Sequence, residues 1–248
     1  MTLPEHENLL LIGAREPVTG ETKTRLGATI GMERAAQLYR AFLADLAHRF
    51  VPDGDFVPDY QFGWAFTPAT GRFRSVIDEL SPCAVTERLL FVPQVGDDWG
   101  IRQSNLLRWG SEHGYARTVL TASDSPQMSR CAIERAFDLL HDADVVIGRV
   151  HDGGYYLIGL RGFHDVLTGV PMSTRNAADA LVARAESMGL RVAEVPGTFD
   201  VDIEADLDLL IELLDDQPEA APATSRALRE LDLIPDRLPT CTSRWQEG

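Results

Sequence analysis

The stretch NLLLIGAREPVTGETKTRL, residues 8–26, decides the fold class. Residues 8 to 14 form a short buried run of strand length. A polar loop with Pro17 and Gly20 follows, and Ala35, Leu38, Tyr39, Phe42, Leu43 and Leu46 then recur at the three- and four-residue spacing of one helical face. A buried strand, a loop and an amphipathic helix make the opening unit of a parallel sheet covered by helices.

The unit repeats along the chain. YQFGWAF (60–66) precedes a helix over 72–80, LLFV (89–92) a helix near 100–113, and TVLTA (118–122) a helix near 129–140. DVVIGRV (144–150) and YYLIGL (155–160) lie too close together for a crossover helix, so one of the pair runs antiparallel and the sheet is mixed. A helix near 176–188, a strand at 191–195 and a helix from about 204 to 214 complete one α/β domain over residues 1–214. Residues 215–248 open with DDQPEAAPAT and read as a linker with a short C-terminal helical extension.

Composition narrows the partners. The chain has 248 residues, with 38 Asp and Glu against 23 Lys and Arg, for a net charge of −15. Nucleic acid and an anionic membrane both demand a basic face, so neither is an expected partner. No run approaches the ~18 apolar residues of a membrane span. The acidic N-terminus lacks the form of a signal peptide, and a cytoplasmic location is expected. Cys83, Cys131 and Cys241 are too scattered for a disulfide framework or a cysteine-rich metal site and read as ordinary thiols. Lysine usage is more telling, because Lys23 is the only lysine among the 23 basic residues. An ammonium and a guanidinium are not interchangeable.

Lys23 lies in the loop after the first strand, together with Arg15 and Arg25, while Gly20 lets the backbone turn tightly. Ligands of open α/β sheets bind at the carboxyl ends of the strands, where this loop belongs. In so acidic a chain, three cations in eleven residues form a candidate phosphate cradle; the alternative is a solvated loop paired with Glu16 and Glu21. Neither the dinucleotide fingerprint nor the P-loop pattern is present. Asp124, in Ser123-Asp124-Ser125-Pro126 after the strand at 118–122, suits Mg²⁺ or Mn²⁺ shared with substrate phosphates, or equally a helix start. Asp200 and Asp202, two residues apart, are candidates for the second carboxylate, against a role in complementing the next helix dipole. Asp152-Gly153-Gly154-Tyr155 is either a hairpin turn or the acceptor side of a site, with Asp152 near the reacting group.

Together, AREPVTGETKTRLGATIGMERAAQLYRAFLADL (14–46), QVGDDWGIRQ (94–103), SDSPQM (123–128), HDGGYYLIGL (151–160) and DVDIEADL (200–207) resemble a bacterial family of glycosyltransferase-A-like proteins. Its members are described as arsenosugar-biosynthesis or selenium-domain-associated glycosyltransferases. The resemblance implies a three-layer α/β/α sandwich of the nucleotide-diphospho-sugar transferase type. It also implies Lys23 and Arg25 at nucleotide phosphates, where the loop reading adds Arg15 and Gly20, Asp124 at a divalent metal, Asp202 or Asp200 as a second metal or substrate carboxylate, and Asp152, Gly153, Gly154 and Tyr155 at the reaction, sugar or acceptor side. Asp152 and Lys23 become the catalytic candidates.

Three positions depart from the family pattern. Arg15 replaces lysine, Trp99 replaces leucine ahead of Gly100-x-Arg102, and Met172 replaces tryptophan in Pro171-Met172-Ser173-Thr174. The last alters the shape and stacking surface of the acceptor pocket. A more distant similarity links the basic loop to 2-phospholactate guanylyltransferase and the molybdenum-cofactor nucleotidyltransferases. In the former the glycine pair is followed by Thr-Asn, whereas Tyr155-Tyr156 follow it here.

The resulting expectation is a Mg²⁺- or Mn²⁺-dependent transferase that uses a nucleotide sugar to glycosylate a small-molecule acceptor. Nucleotidyl transfer from a nucleoside triphosphate is the alternative, and a non-catalytic nucleotide-binding protein the third.

Overall fold

The computed structural model describes residues 4–52, 56–69, 71–81, 89–172 and 174–234. Strand β1 (Asn8–Arg15) buries every residue except the last. It lies inside a seven-stranded sheet of order β3-β2-β1-β4-β6-β5-β7. The other strands are β2 (Gln61–Thr67), β3 (Leu90–Pro93), β4 (Arg117–Ala122), β5 (Val145–Val150), β6 (Tyr155–Arg161) and β7 (Val192–Thr198). Only β6 opposes the rest, pairing antiparallel with β4 and β5 while the remaining pairs are parallel. Four residues between β5 and β6 suffice for a hairpin and not for a crossover.

Alternation along β1 assigns the two faces. Leu10 and Ile12 enter one apolar cluster, Leu9 and Leu11 the other. The first cluster is covered by α2 (Met32–Phe50), α3 (Phe73–Leu80), α5 (Arg130–Leu139), α7 (Glu204–Asp216) and α8 (Pro222–Glu230), and the second by α4 (Trp99–Glu112) and α6 (Ala177–Ser187). The fold is thus a three-layer α/β/α sandwich with a mixed, mostly parallel sheet.

The basic loop is shorter than the sequence suggests, because Thr24–Ile30 forms a helix of its own, α1. TRLGATI contains two threonines and a glycine, poor helix formers, and its start has no side-chain cap, so no local signal marks it. Burial of Leu26 against the first cluster holds it in place.

Toward the C-terminus, the segment read as a linker carries the end of α7 and a 3-10 turn at Pro218–Ala220, after which Ala221 is fully buried. Helix α8 docks on α2. The Asp45 carboxylate accepts from the Ala223 and Thr224 amides, both at 2.8 Å, and from the Thr224 hydroxyl at 2.6 Å. Burial raises the pKa of Asp45, with these donors opposing the shift. Cys131 is exposed, while Cys83 and Cys241 lie outside the described residues, as does 235–248. No helix among the described residues is long and apolar enough to cross a membrane.

Candidate active site

Strand β1 has β2 on one side and β4 on the other. Chains leaving the carboxyl ends of β1 and β4 therefore diverge, opening the crevice in which doubly wound sheets bind ligands. The basic loop enters it from β1, Ser123 and Asp124 from β4, and Asp200 and Asp202 from the segment after β7.

The loop is held by its own polar groups. The Thr22 hydroxyl donates to the Glu16 carbonyl at 2.7 Å and accepts from the Val18 amide at 3.2 Å. The Glu16 carboxylate accepts from the Arg72 amide at 2.7 Å, and the Arg15 amide donates to the Tyr39 hydroxyl at 3.0 Å. At the end of this loop Lys23 adopts φ 52° and ψ 42°, the left-handed region. That conformation costs a non-glycine residue about 1–2 kcal/mol. Such strain persists where surrounding contacts over-determine the residue.

Those contacts are ionic. The Lys23 ammonium bonds Asp124 Oδ1, Asp202 Oδ1 at 3.0 Å and the Val201 carbonyl at 2.9 Å. Its side chain is 5 % exposed. The rings of Tyr39 and Phe42 lie 5.9 and 6.0 Å from the nitrogen. Burial alone would lower the lysine pKa, but the two carboxylates outweigh it and hold the value above the ordinary one. Lys23 therefore stays charged and is no general base. Asp202 also accepts from Arg25 at 2.7 Å, and Lys23 and Arg25 together outweigh its burial and lower its pKa. Asp200 behaves differently: burial first, and the nearby Asp124 charge second, push it up to about 7. Its Oδ1 accepts from the Ser125 hydroxyl at 2.7 Å.

Two clefts meet at this cluster. One, of about 380 Å³, is lined by Arg15, Lys23, Arg25 and Arg102 together with Tyr39 and Gln94. The other, of about 270 Å³, is lined by Asp152, Gly154, Tyr155, Met172, Arg175 and Asp200. Arg25, Trp99, Asp124 and Asp202 line both. The structure thus brings Arg15 and Lys23 to the first cleft, Asp152, Gly154 and Tyr155 to the second, and Arg25, Asp124 and Asp202 to the rim that both share. Gly20 and Gly153 line neither cleft.

The hairpin turn has a packing role of its own. Asp152 Oδ1 accepts from the Gly154 amide at 3.0 Å, closing the turn. Gly153 has φ +91°, and a Cβ there would stand 1.7 Å from the Arg175 carbonyl oxygen. The Gly153 carbonyl in turn accepts from the Ala178 amide at 3.1 Å, tying the hairpin to the start of α6. Tyr155 accepts from the Gln103 side chain at 3.0 Å and donates to Met172 sulfur at 3.5 Å, so Met172 is a wall of the second cleft.

A divalent ion is the group the resemblance implies here. Among the described residues no three His, Cys, Asp or Glu side chains converge on a point. Asp124 and Asp202 do converge, on the Lys23 ammonium, which stands in for a cation between them. Mg²⁺ characteristically keeps several waters and takes one or two carboxylates with substrate phosphates. The pair fits such an ion and makes no all-protein cage.

Tyr39, Gln94, Trp99, Arg102 and Arg175 also line the clefts, although none of them carries a site role in the sequence alone. Gln94 donates to the Ala14 and Ala65 carbonyls at 3.2 and 2.8 Å, Arg102 to the Gly96 carbonyl at 2.9 Å, and Tyr39 bonds the Ser123 hydroxyl at 2.6 Å. The signal for Trp99 and Arg102 is the Trp99-Gly100-x-Arg102 pattern itself, which follows Asp98, the cap of α4 through the Ile101 amide. Tyr39 reads as core from its helical spacing.

Residues 67–174 match the family described as "Uncharacterized protein conserved in bacteria (DUF2064)". A provisionally named nucleotide-diphospho-sugar transferase from Desulfovibrio desulfuricans G20 superposes with a TM-score of 0.80 at 28 % identity, covering 92 % of this chain and 96 % of that one. This is the fold of nucleotide-diphospho-sugar transferases. A 4-diphosphocytidyl-2C-methyl-D-erythritol synthase shares the fold, with a TM-score of 0.50 at 14 % identity over 85 % of this chain and 99 % of that one. No match was found among curated protein sequences.

Proposed function

We propose that the chain is a metal-dependent transferase that takes a nucleotide-activated sugar in the first cleft and a small acceptor in the second. The observation that carries this is the pair of clefts sharing Asp124 and Asp202, one lined by cations and the other by Asp152, Tyr155 and Met172. The 28 % identical D. desulfuricans protein, named as a nucleotide-diphospho-sugar transferase, supports the donor class.

In this proposal Arg15, Lys23 and Arg25 bind the diphosphate and stabilise the charge that grows on the departing nucleoside diphosphate. Asp124 and Asp202 would hold Mg²⁺ or Mn²⁺, which when bound neutralises phosphate charge as a Lewis acid. Asp152 uses Oδ1 for its turn, and Oδ2 is the oxygen offered to the acceptor hydroxyl proton in an inverting transfer. Trp99, 36 % exposed over the shared rim, is placed to cover a base or sugar face.

The test is product analysis. Wild-type protein is incubated with a panel of nucleotide sugars, nucleoside triphosphates, acceptors and Mg²⁺ or Mn²⁺. Release of a nucleoside diphosphate with a glycosylated acceptor is the expected outcome. Pyrophosphate release from a triphosphate would establish nucleotidyl transfer instead. Stoichiometric binding without turnover across the panel would favour a nucleotide-binding protein.

A further inference from the structure

Lys23 does two things that are chemically at odds. Its position in the first cleft is that of a phosphate ligand, yet in the structure its ammonium is spent on carboxylates. It bonds Asp124 and Asp202, the two groups available to a divalent ion, and takes the Val201 carbonyl beside them. Arg25 occupies the second oxygen of Asp202. Every cation the pair needs for neutrality is thus supplied by the chain itself.

We propose that Lys23 is an exchangeable counter-cation, which holds the Asp124–Asp202 pair closed to divalent metal until a diphosphate draws its ammonium away. This rests on the metal-and-diphosphate reading above and adds an order to it. Metal alone must compete with a buried, hydrogen-bonded ammonium for both carboxylates. A diphosphate offers that ammonium a new partner a short distance away, in the cleft that Lys23 already lines, and frees the carboxylates for the ion that arrives with it. Metal and anion binding are then mutually reinforcing, since each removes the obstacle to the other. No covalent bond forms or breaks in the exchange: the ammonium gives up its carboxylate contacts for phosphate oxygens, and charge is conserved at each stage.

Geometry favours Lys23 for this task over the arginines nearby. It occupies a left-handed backbone position between a tied loop and the start of α1, so its stem enters the crevice from one fixed point. An ammonium on a four-carbon stem can change partners by bond rotation alone, whereas the planar fork of a guanidinium is suited to a fixed bidentate partner. Arg25, 74 % exposed, holds Asp202 through one amino group only, so it can keep that contact during the exchange while its other donors face the diphosphate.

Two measurements on the full chain test this. In the first, Mn²⁺ binding is followed by the decay of the free-ion electron paramagnetic resonance signal, with no anion present, for wild type and Lys23→Met. Competition with a hydrogen-bonded charge predicts Mn²⁺ affinity at least about tenfold higher in the variant. Equal affinities in two folded proteins overturn the proposal.

The second measurement needs no variant. Because Lys23 is the only lysine, protein labelled with ¹³C at lysine Cε gives one side-chain resonance. Mg²⁺ alone is expected to leave it in place, and Mg²⁺ with inorganic pyrophosphate to move it. A saturable shift with Mg²⁺ alone, or none with both, overturns the exchange. The two proposals fail separately. Higher Mn²⁺ affinity in Lys23→Met, together with no binding of any nucleotide sugar, supports the counter-cation and removes the donor assignment. Equal Mn²⁺ affinities with donor binding intact remove the exchange alone.

Discussion

The loop from Arg15 to Arg25 and the turn from Asp152 to Gly154 sit at the same edge of the sheet, and both carry glycine and charge. They are held differently. In the turn, the carboxylate of Asp152 bonds the amide two residues on, and Gly153 fits because the Arg175 backbone leaves no room for a Cβ. Turn chemistry and packing account for those residues without a ligand. In the loop, Lys23 sits in a backbone conformation unfavourable to it and is kept there by partners roughly 100 and 180 positions away in sequence, Asp124 and Asp202. A strained residue with distant ionic partners has no comparable local explanation. The loop is therefore the stronger functional element, and the turn the more self-sufficient structural one.

The largest expected effect breaks the loop. Lys23→Ala removes a cation from the charge that develops on the leaving group, which predicts a loss of about 1000-fold in turnover. It also leaves Asp124 and Asp202 facing each other without their shared partner, so the melting free energy should fall by about 2 kcal/mol. Turnover near wild type in the folded variant would take Lys23 out of the mechanism. The next effect sharpens the contrast from the other side. Asp152→Asn keeps an oxygen for the Gly154 amide, so stability should change by less than about 0.5 kcal/mol. A loss of about 100-fold in transfer would then be attributable to the proton-accepting oxygen. Unchanged turnover would reduce Asp152 to a turn residue.

The same contrast governs what the sequence reveals. Strand and helix positions follow from local pattern: the apolar run at 8–14 and the 35–46 periodicity report β1 and α2, and the short β5–β6 spacing reports the antiparallel β6. Lys23, Asp124 and Asp202 were legible as separate candidates, because charge at strand ends is visible in one dimension. Their grouping around one metal-diphosphate site is also an expectation from sequence, but the direct bonding of Lys23 to both carboxylates is not legible there, since it depends on β1 and β4 being neighbours and on where the segment after β7 crosses them. Helix α1 has no signature in the sequence because burial of Leu26, and no propensity or cap, holds it. Tyr39 reads as core and is core, yet its hydroxyl reaches Ser123 in the crevice. A side chain with an apolar body and a polar tip serves both at once.

The smallest effects separate two glycines that look alike in sequence. Gly153 and Gly20 have similar positive φ, +91° and +80°, so alanine is strained at either position. At Gly20 nothing lies within 4 Å of the added carbon, and the cost is the backbone alone, about 1 kcal/mol. At Gly153 the methyl would overlap the Arg175 carbonyl oxygen, so either the hairpin or the start of α6 must shift, which should cost about 2 kcal/mol. Denaturant melts of Gly153→Ala and Gly20→Ala compare the two directly. Because Gly153 lines neither cleft, the stability lost in Gly153→Ala should exceed any loss in donor affinity. Equal costs at the two glycines would mean that the hairpin yields freely against α6. The turn would then be a movable edge of the second cleft, and its resemblance to a simple packed hairpin would end there.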